Sequence, residues 1–246
     1  MFAFRRTALA AATLSLALAG AARAQIPGMP LFTNPRYGTG IRVHADLGRP
    51  TDTKTAGDVT VVQGGVSFAL GPVGLNANVG LNRNSLSSTT TCVKTPTLSC
   101  VGNKVTASAL AQLRLFGGGT NNISVSAFGG GSVDITGYDA ALYTYLGTVP
   151  SSKLITIPVG AAIGLHVPLG FGGLNLWGAP RMNFYQYANC SGTCPSGTSM
   201  FRWALGADLP ILRVLSVRAA FDSGSKSGVT TSYWGVGASL GIGGMR

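Results

Sequence analysis

The apolar and polar positions alternate strictly along residues 154–169. Ile155, Ile157, Val159, Ala161, Ile163, Leu165, Val167 and Leu169 take every second place, with Thr156, Pro158, Gly160, Ala162, Gly164 and His166 between them. A period of two describes a strand with one apolar face. Soluble strands usually run about 5 or 6 residues, whereas a tilted strand needs roughly 9 to 11 to cross a bilayer. The length of this run therefore predicts a membrane-crossing strand. The chain turns in Gly170, Phe171, Gly172 and Gly173 and returns in a second long strand that ends near Tyr185.

The same pattern recurs on both sides of this hairpin. A first strand over 37–48 puts Ile41, Val43, Ala45 and Leu47 on one face and Arg42, His44 and Asp46 on the other. A second over 59–70 groups Val62, Val66, Phe68 and Leu70, and a third sets Leu75, Ala77, Val79 and Leu81 against Asn76, Asn78, Gly80 and Asn82. The fourth, 104–116, opposes Val105, Ala107, Ala109, Ala111, Leu113 and Leu115 to Thr106, Ser108, Gln112 and Arg114. Ile123, Val125 and Ala127 begin the fifth. Beyond the hairpin, strands follow at 200–209, 212–222 and 231–242. These make ten strands; eight is the alternative if this reading splits a strand or counts a loop hairpin.

The connections alternate as well. Turns at 71–74, 117–121, 170–173 and 210–211 are short, and links at 49–58, 83–103, 134–153, 186–199 and 223–228 are read as the long ones. An even number of strands with short turns at one end and longer loops at the other is the layout of a bacterial outer-membrane barrel. The aromatic residues agree with it. Phe68, Phe116 and Phe171 lie toward the short turns, while Phe184, Phe201, Trp203, Phe221 and Trp234 lie toward the loops, as two interfacial girdles would.

Composition separates this reading from a soluble barrel or sandwich, which would share the alternation. Glu is absent, seven Asp supply all the acid, and only 10% of residues are charged, too few to coat a soluble surface. The N-terminus carries Arg5 and Arg6, an apolar run over 8–19, and Ala22-Arg23-Ala24 before Gln25. That order predicts a secretory signal peptide over 1–24, followed by a periplasmic lead over 25–36 and a barrel over 37–246. The apolar run is too short for a transmembrane helix. Without the three leader arginines, 15 basic residues face 7 acidic ones, a net charge of +8. No basic run interleaved with aromatics accompanies this excess, so no nucleic-acid partner is expected.

In layout, and in its last strand, the mature chain resembles the small outer-membrane β-barrels of the OmpA-like and opacity-like type. That resemblance implies an all-β, antiparallel, up-and-down transmembrane barrel integral to the outer membrane. It also implies contact with outer-membrane lipid, lipopolysaccharide and the barrel-assembly machinery. The family's last strand carries an assembly signal of glycine and alternating apolar residues ending in an aromatic. Gly237, Leu240 and Ile242 match its middle, while the ending Gly243-Gly244-Met245-Arg246 departs from it.

Candidate chemistry falls in two places. Cys92 and Cys100 share one long loop, and Cys190 and Cys194 another. In an exported protein these are expected to form two local disulfides, each stabilising by about 2 to 3 kcal/mol on the loop-closure argument. A metal site is the other reading of the four thiols, but the spacing lacks a zinc signature and no histidine lies near. The inward faces collect Arg42, Arg114, Arg181, Arg202 and Arg218, with His44, Asp46 and Asp208, and with Asp222 near the rim. Such residues either close the bore as an ion-pair network or line a narrow anion path.

No enzyme or cofactor is expected. His44 and Asp46 share a face, but no G-x-S-x-G, phosphate loop or metal cluster accompanies them. His166 is read on the wall-facing side of its strand. A ten-stranded outer-membrane protease of the omptin kind would share the layout, but its acidic and histidine clefts have no counterpart here. The expected function is an envelope-structural or surface-interaction role carried by disulfide-pinned external loops toward an unidentified extracellular ligand. A small anion-preferring channel is the alternative.

Overall fold

A computed structural model describes residues 29–36, 39–51, 58–85, 101–118, 121–135, 153–169, 173–188, 196–212, 214–226 and 228–242. Ten strands form: β1 (Gly40–Pro50), β2 (Asp58–Leu70), β3 (Val73–Ser85), β4 (Val101–Phe116), β5 (Ile123–Asp134), β6 (Lys153–Val167), β7 (Leu174–Ala188), β8 (Thr198–Pro210), β9 (Leu215–Lys226) and β10 (Val229–Ile242). Each pairs antiparallel with its sequence neighbour, and β10 pairs with β1 from Ile41↔Ile242 to Pro50↔Tyr233. The sheet is thus a closed ten-stranded barrel, and eight strands is excluded. Closure leaves no edge whose backbone groups would meet hydrocarbon unpaired.

Turn chemistry follows the expected places. Gly71 sits at φ 58° between β2 and β3, and Gly117 and Gly118 take φ 83° and 97° between β4 and β5, beside a register shift at Arg114/Phe116. One link differs from the expectation. Residues 223–226 are not loop: Ser223 to Lys226 pair with Ser232 to Val229, so β9 and β10 meet in a tight hairpin at Gly228, φ 81°. Its Gly and Ser content reads as a link because, beyond the lipid, no apolar alternation is required of a strand.

The barrel is turned inside out relative to a soluble one. Large apolar residues exposed on its outer face include Leu47, Val62, Val79, Leu115, Ile163, Met182, Leu205, Val217 and Val236, a set drawn from nine strands, and Ile123 adds β5. Val79 is 57% exposed and Ile163 56%. Meanwhile Asp46, Arg181, Arg202 and Asp222 are buried. A continuous apolar belt of this kind is incompatible with water and matches a lipid solvent. Exposed Phe68 and Phe116 lie at the short-turn end; Phe184, Phe201, Trp203 and Trp234 lie toward the other. Trp203 packs on Phe221 with ring centroids 5.5 Å apart. Phe171 lies outside the described residues.

Candidate functional site in the barrel interior

The interior is built by the second parity of every strand and holds three charged clusters at different heights. Toward the long-loop end, Asp222 of β9 is fully enclosed between Arg181 of β7 and Arg202 of β8. Arg202 donates from Nε to Asp222 Oδ1 at 2.8 Å and from Nη1 to Thr231 Oγ1 at 2.8 Å, and its guanidinium lies 5.0 Å over the Tyr233 ring. Arg181 donates from Nη2 to Asp222 Oδ2 and from Nε to Asn183 Oδ1 at 3.1 Å. The sequence placed Asp222 near the rim; it is the hub of this cluster. A second pair there, Lys104 with Asp134, gains a bond from Thr106 Oγ1 to Asp134 Oδ1 at 3.0 Å.

At mid-height, Arg218 grips Asp46 with two parallel bonds of 2.6 Å, Nε to Oδ1 and Nη2 to Oδ2. The bidentate form is the strongest geometry open to this pair. Arg218 is on β9 and Asp46 on β1, with β10 between them. Both register with Gly237, where a β-carbon would collide with the Asp46 carboxylate. The glycine read from sequence as part of an assembly signal is therefore also the gap through which the pair meets. Gln63 Nε2 donates to Asp46 Oδ2 at 2.8 Å. His44 Nε2 bonds Asn78 Oδ1 at 2.5 Å, and Asn78 Nδ2 donates to Ser108 Oγ at 3.1 Å. Asn78 therefore separates the imidazole from that serine. Among the described residues no three His, Cys, Asp or Glu gather as a metal site.

Toward the short turns, Trp177 Nε1 donates to Asp208 Oδ2 at 3.0 Å, and Gln112 Nε2 to Ser126 Oγ at 2.6 Å. Arg42 and Asp208 both line a cavity of about 90 Å³, large enough for several waters. His166 shares the inner parity, with Nδ1 2.8 Å from Asn175 Oδ1, and not the wall-facing side.

The described part of the expected lead, residues 29–36, is also inside. Residues 29–36 run through the bore as an extended segment, with Met29 against Val61 near the long-loop end and Arg36 bonded to the carbonyl of Asn121 at the short-turn end. Leu31 is buried in an apolar cluster with Leu110, Phe128, Ala162, Trp177, Ala179, Ala204 and Ala220. Leu110 and Phe128 stand at inner positions in strands whose other inner residues are mostly polar or small. That interruption was the sequence signal for something apolar in the bore. Asp134, Lys104 and this segment are among the interior residues that sequence reasoning missed, as are Gln63 and Trp177.

With charges paired inside, an apolar belt outside and a closed antiparallel barrel, the protein spans a membrane as strands. It has the build of a transmembrane β-barrel of the outer-membrane type. No protein-family model matches the sequence, and no curated protein is similar to it. Among solved structures, the β domain of the Bordetella autotransporter BrkA overlaps 84% of this chain and 100% of its own, at 10% identity and a TM-score of 0.46. The translocator domain of autotransporter NalP from Neisseria meningitidis overlaps 85% and 91%, at 14% identity and a TM-score of 0.39. Neisserial surface protein A overlaps 84% and 99%, at 9% identity and a TM-score of 0.36. These are overlaps of barrel with barrel, and no activity or partner of those proteins carries over. Cys92, Cys100, Cys190 and Cys194 lie outside the described residues.

Proposed function

We propose that this outer-membrane barrel serves as a closed scaffold whose external loops, pinned by Cys92–Cys100 and Cys190–Cys194 disulfides, carry an envelope-structural or surface-interaction role. The observation that supports this reading best is the filled interior. A conducting bore needs a continuous polar path, and an anion path needs arginines whose charge is not met by a carboxylate. Here Arg181 and Arg202 close on Asp222, Arg218 closes on Asp46, and residues 29–36 occupy the axis between them. With the bore occupied, the loops are the part left to meet other molecules.

The test is a planar-bilayer recording of folded, inserted protein beside Arg114→Ala and Arg218→Ala variants, with mass spectrometry of unreduced loop peptides. Silent membranes and the two intra-loop disulfides are expected. Discrete anion-selective steps whose selectivity falls in either variant would instead make transport the function. Four free thiols would remove the pinned loops from the reading.

A further inference from the structure

We propose that the barrel interior is a binding site for an extended, proline-containing peptide, and that residues 29–36 occupy it in cis. The site goes beyond the surface role above and requires nothing of the external loops. Three kinds of recognition converge on the segment Met29-Pro30-Leu31-Phe32-Thr33-Asn34-Pro35-Arg36.

The first is to its backbone. Leu31 N–H donates to Asp222 Oδ2 at 3.3 Å, while Gln112 Nε2 donates to the Asn34 carbonyl and Arg114 Nε to the Pro35 carbonyl, both at 3.3 Å. Two wall strands, β9 and β4, thus satisfy three main-chain groups of a segment that joins no sheet, and a buried backbone requires such partners.

The second is a pair of notches in the wall. A β-carbon on Gly235 would come within 2.9 Å of Pro30 Cδ, and one on Gly164 within 2.7 Å of Pro35 Cγ. Each proline ring therefore lies against a glycine, where another residue would hold it off. Proline has no N–H to leave unpaired against the wall, and its fixed φ lowers the ordering cost of an extended ligand.

The third is to side chains. Leu31 enters the cluster that contains Leu110, Phe128 and Trp177, and the Phe32 ring lies under the Arg218 guanidinium at 4.5 Å. Arg218 is held in place by Asp46, so the cation over the ring is already oriented. An apolar patch inside an otherwise polar bore is explained by the ligand that covers it. The chemical class is therefore an extended peptide of the form Pro-Leu-Phe-x-x-Pro. The tethered copy excludes free peptide because its effective concentration is about millimolar.

The test uses a chain refolded from Tyr37 onward, shown to be folded by heat-modifiable gel mobility and β circular dichroism, and a fluorescein-labelled peptide with the sequence of residues 29–36. Saturable binding to the truncated barrel and none to the full chain is expected. A peptide carrying Leu31→Ala and Phe32→Ala should bind about a hundredfold more weakly, from the loss of one buried and one half-buried apolar side chain. Equal binding of the two peptides, or equal binding by truncated and full chains, overturns the proposal. A second measurement needs no truncation. Full-length Gly164→Leu/Gly235→Leu should displace the segment and expose the Leu31–Thr33 stretch, whose Leu31 and Thr33 are buried in the wild type, to chymotrypsin at Phe32 while the barrel stays intact; unchanged protection of that stretch overturns the proposal on its own. Neither readout is a current, so a conducting wild type, which would defeat the surface-role reading, leaves this test intact.

Discussion

Replacing Asp222 by alanine removes one carboxylate that serves two guanidinium groups and one backbone amide. Arg181 and Arg202 face each other directly across β7 and β8, and both are 2% exposed. Without Asp222 they become two like charges in a confined interior. Removing one partner of a buried ion pair costs about 3 to 5 kcal/mol, because the other charge stays buried and uncompensated. Arg202 keeps Thr231, through Oγ1 at 2.8 Å and the carbonyl at 3.1 Å, and Arg181 keeps Asn183, which offsets part of the loss. The Leu31 amide loses its acceptor as well. We therefore expect a destabilisation of about 4 kcal/mol, near the middle of that range. The assay is reversible urea unfolding of protein in lipid vesicles, comparing midpoints at unchanged m-value. The second variant Asp222→Ala/Arg181→Met should recover a large share of the loss, since it removes one of the two orphaned charges. A loss below about 1 kcal/mol for Asp222→Ala, or no recovery in the double variant, would refute the view that Asp222 neutralises this layer.

Two further outcomes follow from the same geometry. Ile163→Arg places a charge on the lipid face between the aromatic girdles and should cost about 2 to 4 kcal/mol if its level is the membrane midplane. Wild-type folding and insertion of that variant, measured by heat-modifiable mobility, would reverse the assignment of the face. Gly237→Val puts side-chain atoms where Asp46 meets Arg218, so it should destabilise by about 1 to 3 kcal/mol through overpacking, and by more once the pair separates. The same valine at Gly64, whose β-carbon position meets only the His44 carbonyl at 3.8 Å, provides the contrasting control in urea unfolding.

The period of two carried the strand count, the two faces and the short turns, because lipid on one side and packed polar groups on the other constrain each position of a spanning strand. Where lipid ends, that constraint ends. Ser223, Gly224, Ser225 and Lys226 pair with β10 yet have the composition of a link. Asp222, taken as the rim residue of a shorter strand, lies deeper once β9 extends past it. The inward arginines were legible individually, but their partners were not. Asp46 reaches Arg218 over an intervening strand, and Arg181 reaches Asp222 across β8; such pairs between non-adjacent strands depend on register, which the alternation leaves open. The segment over 29–36 was hidden for a different reason. Two prolines and no alternation mark it as unable to join a ladder. Its fit depends on glycines at 164 and 235, more than a hundred residues away.

The Asp46–Arg218 pair also bears on the order in which the barrel is completed. It joins β9 to β1 across β10, so it cannot exist until the last strand has zipped against the first. Residues 172 positions apart must be brought together before it forms. A contact that appears only at the end of assembly adds little to the rate of folding and acts mainly on the rate of opening. The seam between first and last strands is the natural place for a barrel to unzip, and here it is closed by a latch on the inner side, away from the lipid.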